Sequence, residues 1–385
     1  MINTKKNKID RKSAVITAAV ALAAVIIAAG VWLFFPIKNT IYTNEGISYE
    51  KAKVISVNSQ AFEESKDAPG RNVGVQNVTV EFTSGRFKGE TATFDNYLTS
   101  THSIEVKAGT KVVVKCDRPE GAAPYYTLYQ YDRSAGIIFA ILIFAALLFA
   151  VGRKKGLMAG AALLISAFII AGALIPLIYN GVSPILSTFI ACVLITVVTL
   201  IMLNGLSKKT AIAMLSTFVG LTASVLLYTV IARILNVSGY GIEEAETLIM
   251  ISRRTGLKIS EVLFSGVLLA SLGAVMDTTM SISSALYEIS SVDAKISRRA
   301  LFRSGMNMGS DMIGTMCQTL VLAFTGSALA SLLVAVSYGT QFQQFFASDY
   351  FAVELFRSLT GSFAVILAVP VTSWIYSTLA GKRKR

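Results

Sequence analysis

Residues 134–151 read SAGIIFAILIFAALLFAV, a run without a single charged side chain, and Arg153, Lys154 and Lys155 follow it almost at once. A bilayer core of about 30 Å takes roughly 20 apolar helical residues to cross, so this run reads as a membrane span with a basic flank. The pattern repeats on both sides of it. Residues 13–35 form an earlier apolar run behind Lys5, Lys6, Lys8, Arg11 and Lys12. That run ends in Trp32, Phe34, Phe35 and Pro36 where a signal peptide would show a small-residue cleavage site, so an uncleaved anchor is expected. Later runs lie at 157–178, 184–203, 211–235, 262–286, 305–336 and 353–379. The expected fold class is a polytopic α-helical membrane protein with about eight transmembrane helices.

Composition agrees. The 385 residues are 54% hydrophobic and 15% charged, against about 25% charged in a typical soluble chain. A soluble globular enzyme, a disordered chain and a collagenous fibre are all excluded. The formal charge of +12 does not point to nucleic acid, because most Lys and Arg flank the apolar runs, where they set orientation in the membrane. A single His and three Cys leave little material for a metal cage or a His-based triad. No catalytic residue, metal ligand or cofactor is assigned.

Between the first two spans, residues 36–133 change character. Residues 54–57, 73–82, 90–94 and 112–114 cluster or alternate β-branched side chains, punctuated by Gly70, Gly85, Gly89, Gly109 and the Asp117-Arg118-Pro119 turn. Short strands at this spacing predict a small all-β domain, a five- or six-stranded barrel. Tyr125, Tyr126, Tyr129 and Tyr131 are expected at the headgroup level as the chain returns to the bilayer. Counting crossings from a cytoplasmic N-terminus puts the basic runs at 153–155, 208–209, 295–303 and 382–385 inside and the β domain outside. The expected order is a cytoplasmic N-terminus at 1–12, an anchor at 13–35, an extracytoplasmic β domain at 36–133, a seven-helix membrane domain at 134–379 and a basic cytoplasmic tail at 380–385. One segment breaks the charge rule. Residues 236–261, counted as outside, carry Arg253, Arg254 and Lys258 together with Glu243, Glu244 and Glu246, and read as a short interfacial helix.

Ionisable residues at membrane depth are costly and mark functional sites by default. Two adjacent spans concentrate them. In the sixth, Asp277, Ser281, Ser284 and Glu288 fall within roughly 60° of one another at 3.6 residues per turn. In the seventh, Ser304, Asn307, Asp311, Thr315 and Gln318 share an arc of roughly 80°, and Gly305 and Gly309 allow a neighbouring backbone to approach. A short loop at 289–303 joins the two spans as a hairpin, which brings Asp277 and Asp311 to a similar depth. Two polar stripes at matching depth can line one cavity. Carboxylates, hydroxyls and amides without His or thiolate suit protons or hard cations. The plainer reading makes the same acids interhelical hydrogen-bond partners. Glu354 and Arg357, one turn apart, read either as a surface ion pair or as a gating pair at the outer end of the last span. The seventh span is too long for one straight crossing, with a break expected near Gly326. Pro176, Pro184 and Pro370 mark kinks or span ends.

These motifs carry a resemblance. Asp277-x-x-Met280-Ser281-Ile282-x-Ser284, then Ser304-Gly305-x-x-x-Gly309-x-Asp311-x-x-Gly314-Thr315, then Glu354-x-x-Arg357-x-x-x-Gly361 and Pro370-x-Thr372 resemble the YibE/YibF-like family of bacterial membrane proteins. Gln318 stands where many relatives carry Asn, so the amide is kept. The resemblance implies a bacterial cytoplasmic membrane protein with an N-terminal anchor and external domain, and it names no substrate.

The expected function is a permease or exporter of a small solute or ion, coupled to a proton or hard cation through Asp277 and Asp311. Ser281, Ser284, Asn307, Thr315 and Gln318 would act as ligands or relays. A gated channel and a non-transporting scaffold, whose external domain binds a partner, are the alternatives. An intramembrane aspartyl protease fits less well, since Gly309-Ser310-Asp311 lacks the second glycine of the usual pattern. Expected partners are the bilayer, a small solute or ion, and either a protein at the external domain or a second copy of the chain.

Overall fold

The computed structural model describes residues 11–38, 40–41, 46–118, 123–241, 244–293 and 295–380. Lys5, Lys6, Lys8, Pro119, Glu243 and the basic tail from Lys382 lie outside them. The chain divides into two compact units, Tyr42–Leu147 on one hand and Met1–Ile41 with Leu148–Arg385 on the other.

The smaller unit is one antiparallel sheet of five strands in the order β3-β2-β1-β4-β5, with β1 at Ile47–Glu64, β2 at Asn72–Phe82, β3 at Thr91–Leu98, β4 at Lys111–Asp117 and β5 at Tyr125–Tyr131. The 18-residue β1 is long enough to serve two partners: its first part pairs with β4 and its remainder with β2. Bulges after Val54 and Val57 increase the local twist. The sheet curls into a half-barrel whose edge strands approach each other, with the Phe94 and Tyr126 rings 6.1 Å apart. Alternation sends Val54, Val78, Val80, Phe82, Val112, Val114, Cys116 and Leu128 into one core. Two buried amides close it. Gln76 donates from Nε2 to the Val106 carbonyl and accepts from the Val106 N–H, both at 3.0 Å, and Asn96 donates to the Ile104 carbonyl at 2.8 Å. They tie the 104–106 segment across the sheet. The tyrosine-rich segment, expected at headgroup level, is the strand β5, since Tyr and Thr favour a pleated surface and Leu128 faces the core.

In the larger unit α1 is Arg11–Phe34 and α2 is Ser134–Ile169, the latter begun in the smaller unit. Helix α2 continues through a π turn at Ile170–Leu174 into α3 at Ile175–Tyr179. The π turn precedes Pro176, which lacks an N–H and would clash with the carbonyl four residues back in a regular helix. Arg153 has φ 50° and ψ −129°, so α2 is not one straight rod. A Cβ on Gly156 would overlap the Leu148 carbonyl oxygen, an approach that a straight helix cannot make across that separation. The chain therefore turns sharply beside the Arg153-Lys154-Lys155 run.

The bundle proper consists of α4 (Pro184–Asn204), α5 (Lys208–Ile234), α7 (Ile259–Val292), α8 (Arg298–Ser327) and α11 (Asp349–Ala380). Ser183, Ser207 and Ser297 cap α4, α5 and α8 through side-chain oxygens. The expected interfacial helix is α6, Ala245–Thr255, and its Arg254 donates to the Thr40 carbonyl at 2.7 Å. That bond gives one of the cations that break the charge rule a structural role. The seventh span does break, but at Ala328, where α9 (Leu329–Ser337) departs from α8 by 55°. The one-turn α10 (Phe342–Phe346) precedes α11. Helix α11 runs on through Pro370, so this residue is not a span end. Thr372 and Ser373 donate to the Ala368 and Val369 carbonyls on that turn.

Among the described residues six helices are long and apolar enough to cross a bilayer, seven if the bent α8–α9 pair is one span. With this series of apolar helices and a half-barrel sheet, the chain is a membrane protein with a small β domain.

Candidate functional site: the outward polar faces of α7 and α8

Helix α7 buries Leu268, Leu272, Val275, Ile282 and Leu286 against α4, α5 and α11. Its opposite face is exposed and carries Gly266, Ala270, Gly273, Asp277, Ser281 and Glu288, with Ser284 half-buried at its edge. This partition follows from a 3.6-residue period in which the apolar positions recur on one side.

Helix α8 repeats the arrangement with glycine as its inner surface. A Cβ on Gly305 would stand 2.9 Å from Ser373 Cβ and 3.1 Å from Leu286 Cδ1, and one on Gly309 would meet the Val369 side chain at 2.9–3.0 Å or closer. The expected small-residue pair therefore lets α8 lie against α11. Leu301 and Leu320 complete the buried edge. The outward face carries Asn307, Asp311, Thr315 and Gln318, all exposed, with Ser304 half-buried. The Thr315 hydroxyl donates to the Met312 carbonyl at 3.0 Å and so presents only lone pairs outward.

Each expected stripe is thus aligned along its own helix. Among the described residues no hydrogen bond or ion pair joins one stripe to the other, and none engages the Asp277 or Asp311 carboxylate. Interhelical bonds run elsewhere: Thr217 to Thr279 at 2.9 Å between α5 and α7, and Ser290 to Tyr376 at 3.0 Å between α7 and α11. The two acids do not tie the helices of the bundle together. Nor do they line two cavities found at loops, one of about 460 Å³ bounded by Val334, Tyr338, Gln344 and Tyr350, the other of about 140 Å³ beside Lys38 and Arg254. A carboxylate facing lipid at mid-bilayer would cost about 2.5–3.5 kcal/mol on insertion scales.

Glu354 and Arg357 do pair, Nη1 to Oε1 at 2.8 Å and partly buried. Phe356 between them stacks on Tyr228 with centroids 4.7 Å apart. Among the described residues no group of three or more His, Cys, Asp or Glu could hold a metal ion. The bundle interior adds a feature that sequence reasoning left unselected. The hydroxyls of Ser187, Thr188, Ser216, Ser224, Ser283 and Thr360 are buried without a hydrogen-bond partner among the described residues. Serine and threonine at inward helical positions look no different in sequence from those that bond back to their own helix, so only packing reveals them.

Comparison with known proteins follows the same division. The family model for YibE/F-like protein matches residues 140–382, which contain α7, α8 and both polar faces. The model for the YibE/F family N-terminal domain matches residues 41–130, which contain the half-barrel nearly to its end. No curated protein and no solved structure matches the chain. With the two family models covering nearly its whole length, in the order helical bundle after β domain, the chain belongs to the YibE/F-like family.

Proposed function

We propose that this chain is a permease or exporter of a small solute or ion in the bacterial cytoplasmic membrane, coupled to a proton or a hard cation through Asp277 and Asp311. The observation that carries the reading is the pair of carboxylates in the interior of the long helices α7 and α8, each on an exposed helical face beside hydroxyl and amide oxygens and each without a hydrogen-bond or ion-pair partner among the described residues. Oxygen ligands of this kind suit hard cations, and a carboxylate can carry a proton. Ser281, Ser284, Asn307, Thr315 and Gln318 then act as ligands or relays along the two faces.

The proposal includes eight crossings. The 46 residues of Ser134–Tyr179 would reach about 69 Å as a straight helix at 1.5 Å per residue, twice what a bilayer needs. Counting the turn at Arg153 as a cytoplasmic loop divides them into two spans, and α8–α9 is one broken span. Both termini are then cytoplasmic, and the basic runs at 153–155, 208–209, 295–303 and 382–385 are inside. Reporter fusions test the count: a fusion after Lys155 reports cytoplasmic and one after Tyr179 reports external. The reverse pattern refutes the topology.

The site is tested by the thermal stability of the detergent-purified protein against a panel of cations and pH values, wild type beside Asp311→Asn. A ligand bound only to the folded state raises stability with its concentration. A cation- or proton-dependent shift that Asp311→Asn abolishes is the expected result. Equal behaviour of the two proteins in every condition would leave a scaffold, whose external domain binds a partner, as the better reading.

A further inference from the structure

We infer that the outward polar faces of α7 and α8 meet the same faces of a second copy of the chain across a two-fold axis normal to the bilayer, so that the ion path runs between two copies. This rests on the reading of Asp277 and Asp311 as ion sites and adds what encloses them.

Glycine usage supplies the first argument. Where helices of one copy meet, the bundle spends glycine: Gly220 lies against Ala368, Gly361 against Ser271 and Leu320, Gly305 against Ser373, and Gly309 against Val369. The outward faces hold glycines of a different kind. Gly266 and Gly273 on α7 and Gly314 on α8 have nothing within 4 Å of where a Cβ would stand. Together with Ala270 and Ser310 they make small-residue rows suited to close approach by another helix, and these rows run beside the unpaired carboxylates and amides.

Complementarity chooses the occupant. Lipid tails cannot satisfy Asp277, Asn307, Asp311 or Gln318. A foreign protein would need polar groups at the same depths, whereas a second copy has them by construction, because an axis normal to the bilayer preserves depth. Ser281, Asn307 and Gln318 each donate and accept hydrogen bonds, and Thr315 accepts, so the rows can pair with themselves, as an isologous interface requires. At the end next to the connecting loop, Glu288 and Arg303 are both exposed and take part in no ion pair among the described residues. They lie at similar depth on α7 and α8, so the axis brings each toward its opposite charge in the other copy. Asp277 and Asp311 from both copies then surround one passage, where a bound cation or shared protons offset four nearby carboxylates.

The test uses the full chain in native membranes with Cys116, Cys192 and Cys317 replaced by Ser. S281C and T315C, each treated with a bis-maleimide long enough to span the passage, are expected to give a dimer band at least tenfold stronger than L226C, whose parent side chain is 65% exposed on α5. Co-expressed tagged and untagged copies establish that the partner is the same chain. A monomer with cysteines that react with a water-soluble maleimide, a monomer that stays unreactive, or a crosslink to another protein each overturns the inference. Chains without introduced cysteines, weighed in nanodiscs, provide the second measurement, and a monomer there also overturns it. The two readings fail separately. Loss of the dimer with the Asp311→Asn ion effect retained removes only the second copy, and a dimer without any ion effect removes the site and the ion path while leaving the contact between copies.

Discussion

The close contact of α8 with α11 can be tested by adding a single methyl group. Gly309→Ala places a Cβ 2.9 Å from Val369 Cγ2 and 3.0 Å from its Cβ, with the other methyl closer still. Val369 is fully buried, and as a β-branched residue in a helix it has essentially one χ1 rotamer available. It cannot swing aside, so the helices must separate along the contact. Overpacking of this kind costs about 1–3 kcal/mol, and a rigid neighbour puts Gly309→Ala near the upper end. Replacing Gly by Ala within a helix returns up to about 1 kcal/mol, which leaves a net loss of about 2 kcal/mol. For a domain of this size each kcal/mol moves Tm by about 2–4 °C, so the apparent Tm at a fixed scan rate should fall by about 4–8 °C. Gly136→Ala in α2, with no atom within 4 Å of its Cβ position, should leave Tm unchanged or slightly raised. Adding Val369→Ala to Gly309→Ala removes the colliding methyls and should make the two changes strongly non-additive. Equal Tm values for Gly309→Ala and Gly136→Ala would refute the packing argument.

Three further outcomes are expected. Burial, with a smaller contribution from the Glu50 charge, pushes the Cys116 thiol up to about 11. At pH 7.5 it should react with maleimide only after denaturation, and its contribution to stability, complete below pH 9, should be lost as pH rises through about 11, because the unfolded thiol ionises first. Gln76→Leu strands the Val106 N–H and carbonyl, at about 1–3 kcal/mol per buried group, and should speed hydrogen exchange at the peptide containing Val106 while leaving exchange in α11 unchanged. Glu354→Gln and Arg357→Gln should each lower Tm, and the double variant should lose less than the sum, since either single change leaves the other half of a partly buried pair behind.

Local chemistry made much of the architecture readable. The apolar runs announce helices because a chain in lipid must satisfy its own backbone, and the alternation at 73–82 announces β2. The break in the seventh span was legible to within two residues: Gly326 supplies the flexibility, while the bend itself sits at Ala328, whose carbonyl accepts from the Tyr350 hydroxyl at 3.3 Å. That partner comes from a distant part of the chain. The tyrosines of β5 were legible as aromatic but not as a strand, because a membrane interface and a half-exposed sheet favour the same side chains. At the site, helical periodicity alone grouped Asp277 with Ser281, and Asn307 with Asp311 and Gln318.

What the periodicity could not say is which way those groups point. The sequence by itself determined that this is a membrane chain with a β insert after its first helix, and which polar residues share a helical face, because both depend on properties repeated every few residues. Only the tertiary structure decided that α8 presses Gly305 and Gly309 against α11, that α7 turns Leu272 and Val275 inward, and that both carboxylates therefore face away from the bundle. A helix has one face to bury, and the helices packed around it, distant in sequence, decide where that face goes.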